Sequence, residues 1–255
     1  MSGMSSVKPG RDAWIRRFHP APEVRTHVLC LPHAGGSASY FYSLSAALSP
    51  SVEVCAVQYP GHGDRINESA VNSLEALADQ IVDALDLLRG NRLVLFGHSM
   101  GAALAFEIAR RLETQGDAPS ALFVSSRRAP SRPRAERFHL LSDIELLKEV
   151  RRLNGTDFEV LADDNVLSLF LPAIRSDFTA SETYSYKPGS ALTCPIFTFF
   201  GDQEKDLTRD DLEAWRDQTA GDFELTSFPG GHFYIGDQVS AVAEAVLARI
   251  QPADR

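Results

Sequence analysis

The sequence predicts an α/β protein with a mostly parallel sheet, helices on both faces of it, and a helical insertion. Three observations carry that prediction. Short runs such as Val28-Leu29-Cys30-Leu31 are apolar throughout, the pattern of strands buried on both faces. These runs alternate with longer segments of helical period, as strands and crossover helices do in a parallel sheet. One interval, 127–190, carries helical segments with no clear strand between them.

The elements follow in order. Positions 28–31 form a buried strand, and the Gly- and Ser-rich stretch 33–39 after it reads as a loop. A helix follows through Tyr42 and Leu48, then a strand at 52–57 that Pro60-Gly61 ends. Leu74, Leu77, Ile81, Leu85 and Leu88 share one helical face. A strand at 93–96 leads into a helix at 102–112, and 121–124, 196–200 and 223–228 complete the strands. Val239, Val242, Val246 and Ile250 keep register along a closing helix. An edge strand is expected at 14–18. Within 127–190, helices are expected at 143–153 and 165–178. An insertion of that size between two strands is better read as a helical lid than as one long loop. The expected division is a core of 1–126 and 191–255 with a lid of 127–190.

Composition narrows the function. A chain of 255 residues with 44% apolar and 23% charged residues suits one domain with a large core. A net charge of -9 argues against gripping nucleic acid or an anionic membrane. Cys30, Cys55 and Cys194 are expected as reduced, mostly buried thiols, because an odd, sparse count builds no disulfide framework. The first twelve residues are polar and lack a secretory apolar core, and no run of about 18 apolar residues exists. A cytoplasmic protein is expected. No His-Glu-x-x-His, clustered Cys or phosphate-binding loop appears, so neither metal, nucleotide nor other cofactor is expected.

Gly97-His98-Ser99-Met100-Gly101 is a G-x-S-x-G sequence. Alone it is a weak signal. Here a strand precedes it and a helix follows, the context of a nucleophile elbow in α/β-hydrolases. A side chain at either glycine would clash in so tight a turn. The following helix aims its first N–H groups at the site and favours a developing negative charge. Serine needs a base to take its proton. Of seven histidines only His232 lies late in the chain, after the last strand, in Gly230-Gly231-His232-Phe233. That order, serine, acid, histidine, suits the fold.

The acid is expected after the 196–200 strand, where Asp202, Glu204 and Asp206 compete. Glu204, three residues beyond Gly201, is the first candidate and Asp206 the second; each could instead be a solvated loop charge. The oxyanion of a tetrahedral intermediate needs donors. The Met100 N–H and the Ala34 N–H, in Pro32-His33-Ala34-Gly35-Gly36, are assigned to it.

Five ordered blocks carry a family resemblance: Leu31-Pro32-His33-Ala34-Gly35-Gly36-Ser37, Tyr59-Pro60-Gly61-His62-Gly63-Asp64-Arg65, the serine block, Ser125-Ser126-Arg127-Arg128-Ala129-Pro130, and Gly230-Gly231-His232-Phe233. Together, over nearly the whole chain, they resemble the type II, or editing, thioesterases of polyketide and non-ribosomal peptide pathways. The resemblance implies hydrolysis of stray acyl groups from the phosphopantetheine thiol of acyl or peptidyl carrier proteins. It also implies two departures: Glu204 stands where the family usually has Asp, and Ser126 where it usually has Gly. Other readings are a small-molecule carboxylesterase, an acyl-transferring or macrocyclising thioesterase and a non-catalytic ligand receptor. Phe170, Phe178 and Tyr184 are candidates for an acyl pocket, with core packing of the lid as the stronger alternative. Arg127, Arg128, Arg132, Arg134 and Arg137 are a candidate rim for an acidic carrier, with a solvated hinge or internal ties as the alternatives.

Overall fold

The computed structural model describes residues 11–88, 90–132, 136–154 and 164–250. Among them seven strands form one sheet: β1 (Ile15–Arg16), β2 (Thr26–Leu31), β3 (Glu53–Val57), β4 (Arg92–His98), β5 (Ala121–Ser125), β6 (Ile196–Gly201) and β7 (Phe223–Phe228). Their order is β1-β3-β2-β4-β5-β6-β7. Every pairing is parallel except that of β1 with β3. The edge strand β1 is shorter than expected: Trp14 belongs to a 3-10 turn, Arg11–Trp14, and the strand ends at Arg16.

Neighbouring residues of each inner strand serve opposite faces, as the pleat requires. Val28, Cys30, Val54, Phe96 and Phe123 pack under α1 (Tyr42–Leu48) and α7 (Val239–Ile250). Leu29, Leu31, Cys55, Leu95 and Leu122 pack under α2 (Leu74–Ala84) and α3 (Met100–Thr114). Both faces are covered, which is why these strands contain no polar alternation. The architecture is that of an α/β-hydrolase. All three cysteines are buried and unpaired. No helix among the described residues is long and apolar enough to cross a membrane.

The interval between β5 and β6 contains α4 (Asp143–Asn154) and α5 (Asp164–Thr183). Leu146, Leu147 and Val150 of α4 meet Leu171, Ile174 and Phe178 of α5 in a separate apolar cluster. A further helix, α6 (Arg209–Glu213), was not expected; Thr208 and Asp211 cap its first turn reciprocally.

β2 has β3 on one side and β4 on the other, so the connections from β2 and β4 diverge. A crevice opens at the carboxyl ends of strands where the order reverses in this way. Leu31 pairs with Gly97, which sets the 33–36 loop beside Ser99.

Candidate active site

Ser99 occupies the one residue between β4 and α3, at φ 55° and ψ -115°. A non-glycine residue there is strained, by about 1–3 kcal/mol, and such strain concentrates at functional sites. The flanking glycines have a steric reason. A Cβ on Gly97 would lie 2.1 Å from the Gly101 carbonyl oxygen, and one on Gly101 would lie 2.0 Å from that of Leu31. The Ser99 N–H donates to the Ser125 carbonyl at 2.8 Å, tying the turn to β5.

β6 and β7 deliver the other two groups. Gly201 pairs with Phe228, and a Cβ on Gly201 would strike the Gly231 carbonyl oxygen at 2.2 Å. Glycine therefore lets the loops after both strands touch. Across that contact Glu204 Oε1 lies 2.5 Å from His232 Nδ1. The Glu204 side chain is 4% exposed and that of His232 18%. Asp206 instead pairs with Arg152 at 3.2 Å, its side chain 49% exposed. Asp202 accepts the Gly230 N–H at 3.0 Å and so shapes the histidine loop. Of the three competing carboxylates, Glu204 is the one bonded to His232.

Ser99, His232, Glu204, Ala34 and Met100 all line one cavity of about 120 Å³. Met100 is the first residue of α3, so its N–H has no acceptor within the helix. Phe138, Phe178, Leu207 and Phe233 give the cavity an apolar wall. Phe178 lines the cavity and also packs in the α4–α5 cluster. Phe170 packs against the α4–α5 cluster, and the Tyr184 hydroxyl donates to Glu107 at 2.8 Å. Neither of these two lines the cavity.

Other histidines surround the site. The His33 ring meets those of Tyr40, His98 and Phe233 at 4.6–5.8 Å. Burial pushes His33 down to about 3, with the nearby His232 and His62 adding to the fall. His98 is likewise held well below the ordinary histidine value, first by burial and then by His232 and His33. His98 Nδ1 lies 2.9 Å from Ser125 Oγ, which lies 2.8 Å from the Tyr234 hydroxyl. Both rings are neutral packing partners, while His232 has a carboxylate and access to the cavity.

The Arg127 guanidinium is buried and donates to Ser181 Oγ at 2.9 Å, tying α5 to the end of β5. Arg128 donates to the Asp206 carbonyl at 3.1 Å and pairs with Glu136 at 3.3 Å. Both are internal ties, one of the two alternatives open in the sequence. Arg132 and Arg137 are exposed. Arg134 lies outside the described residues.

The sequence marked Ser126 as a departure without its reason and gave no sign of Arg152. Ser126 has φ 49°, which accounts for glycine being usual there, and its hydroxyl donates to the His232 carbonyl at 3.3 Å. Arg152 of α4 also reaches the cavity. Among the described residues His27, Glu53 and Cys55 are close enough to share a metal ion. They sit on β2 and β3, and His27 lies at the strand end remote from Ser99. Glu53 already accepts from Arg17 at 3.1 Å and from the Ala21 N–H at 3.2 Å.

Fold and site together define a hydrolase of the serine-elbow class. A thioesterase-domain family model matches residues 26–250, and the chain belongs to the thioesterase family. It is 49% identical to thioesterase PikA5 of Streptomyces venezuelae, over 88% of this chain and 81% of that one. It is 44% identical to a probable cadicidin biosynthesis thioesterase of Streptomyces griseus, over 94% of this chain and 66% of that one. The structure of BorB, a type II thioesterase from the borrelidin biosynthetic cluster, matches with a TM-score of 0.89 at 44% identity. That match covers 94% of this chain and 98% of BorB. The resemblance to type II thioesterases is borne out, and the enzyme acts on thioester bonds.

Proposed function

We propose that the enzyme releases acyl groups from the phosphopantetheine thioester of carrier proteins in a polyketide or non-ribosomal peptide pathway, through Ser99, His232 and Glu204. The observation that carries this reading is the Glu204–His232 bond beside Ser99 in one apolar-walled cavity. Glu204 accepts from Nδ1 and so leaves Nε2 as the base. Ser99 Oγ attacks the thioester carbonyl as His232 takes its proton. The oxyanion receives the N–H groups of Met100 and Ala34. The tetrahedral intermediate collapses, the C–S bond breaks, and His232 returns the proton to the leaving thiolate. Water, activated by His232, then attacks the acyl-Ser99 ester and frees the acid. A thiolate leaves readily, so this route needs no metal.

The 127–190 segment serves as the lid of the acyl site, with Phe138 and Phe178 facing the chain. Exposed Arg132 and Arg137 belong to the rim that meets an acidic carrier, and Arg127 and Arg128 do not. The buried, unpaired cysteines fit a reducing, cytoplasmic setting. The test compares acyl-carrier thioesters with p-nitrophenyl esters of the same acid. A higher kcat/KM on the carrier thioester supports the reading. Preference for the aryl ester would favour a carboxylesterase, and a fluorophosphonate probe that fails to label Ser99 would favour a receptor.

A further inference from the structure

One face of α5 covers two glycine turns beside the site. Gly35, in the oxyanion loop, has φ 77°, and a Cβ there would meet Ile174 Cγ1 at 3.0 Å. Gly61, in the loop after β3, has φ 83°, and its Cβ would meet Ala70 Cβ at 2.9 Å and Ala173 Cβ at 3.4 Å. Asp177 stands one turn further along α5, 1% exposed. Its Oδ2 accepts the Gly35 N–H at 2.7 Å. The same oxygen lies 2.9 Å from His62 Nε2, in a pair whose side chains are 4% and 2% exposed. His62 Nδ1 lies 3.0 Å from the Pro60 carbonyl.

We propose that Asp177 and His62 are positioning residues for catalysis, holding the oxyanion loop in the conformation that aims the Ala34 N–H at the reacting carbonyl. Gly35 directly follows Ala34, so fixing the Gly35 N–H fixes the peptide plane between them and limits rotation at Ala34. A hydrogen bond to an ionised acceptor is short and about twice as strong as a neutral one, which suits a donor that must not move. His62 Nε2 meets the same Asp177 oxygen at 2.9 Å and so anchors the carboxylate that holds Gly35. Burial alone would lower the His62 value, but the Asp177 carboxylate beside it and the Pro60 carbonyl raise it overall. The arrangement makes the oxyanion loop depend on α5: the helix that walls the acyl cavity with Phe178 also sets the donor geometry.

The inference rests on the proposed roles of Ser99 and Ala34. Its test uses the whole enzyme and a short acyl-pantetheine thioester. Asp177→Asn is expected to lower kcat about 10- to 100-fold with KM nearly unchanged, part of what deleting a whole oxyanion donor costs. The affinity of an alkylboronic acid, which forms a tetrahedral adduct on Ser99, is expected to fall with it. An unchanged kcat, a loss confined to KM, or an unchanged boronate affinity would overturn the inference. Ser99→Ala is assayed in parallel. If it keeps turnover, the reading of the site fails; if it is inactive while Asp177→Asn is normal, only this inference fails. A second measurement needs no variant: in the wild-type enzyme the Gly35 amide proton is expected downfield and slow to exchange. Exchange at the rate of an unbonded loop amide would overturn the proposal even if Asp177→Asn does not fold.

Discussion

The choice among three carboxylates turns on a single bond, and it separates two variants. Glu204→Gln removes the charge that steadies the His232 imidazolium, and loss of such a partner costs about 10⁴ in rate. Asp206→Asn disturbs a half-exposed pair with Arg152 and is expected to leave kcat within about twofold, as exposed ion pairs contribute little. Steady-state kinetics on one thioester checks both; the reverse ranking would assign the acid to Asp206. Ser99 and His232 were legible as candidates because local signals mark them: two glycines beside the serine, two before the histidine. The order Gly201, Asp202, Glu204, Asp206 could not fix the acid alone, since the decision is made by the contact of two loops 28 residues apart. Asp177 left no local trace at all. Its partner Gly35 is 142 residues away, and a lone Asp in a helix reads as a solvated charge.

At the scale of elements, the inner strands were legible because burial on both faces leaves apolar runs, whereas β7, part-exposed at the sheet edge, keeps Glu224, Thr226 and Ser227. α5 was not read to its end. It continues to Thr183, five residues beyond the expected 178, because buried Asp177, Ser181 and Glu182 interrupt its apolar period. Each has a partner off the helix: Gly35, Arg127 and the backbone of Phe138 and His139. The polar positions that hid the end of the helix fasten it to the core. The segment between β5 and α4 carries the exposed arginines, and its prediction is kinetic. Replacing Arg132, Arg134 and Arg137 together with Ser is expected to lower kcat/KM for an acyl-carrier substrate and spare acyl-pantetheine. The loss should shrink as salt rises, since charge steering is screened over about 8–10 Å at 0.10–0.15 M salt. An equal loss on both substrates, or none on either, would remove these residues from the carrier interface.

The molecule as a whole is held together partly by histidines that must stay neutral. His27, His33 and His98 are each kept below the ordinary value, with burial the first cause in every case. An unfolded chain takes up protons on these rings near pH 6.5, and the folded protein does so only at lower pH. Their contribution to stability therefore declines as pH falls below that value, by at most about 1.4 kcal/mol per pH unit for each net proton. His62 acts in the opposite sense: its value is raised, so its contribution is full in acid and fades as pH climbs through it. Three against one, the urea midpoint is expected to drop between pH 7 and pH 5.5; a steady or rising midpoint would contradict the neutral state of these rings. Release of acyl groups from a carrier-bound thioester by Ser99 is read from the intact-protein mass of the carrier. With wild-type enzyme the acyl-carrier mass should fall to that of the free phosphopantetheine form, and with Ser99→Ala it should stay acylated. A carrier that keeps its acyl group in the presence of wild-type enzyme, or loses it equally with Ser99→Ala, would contradict the account.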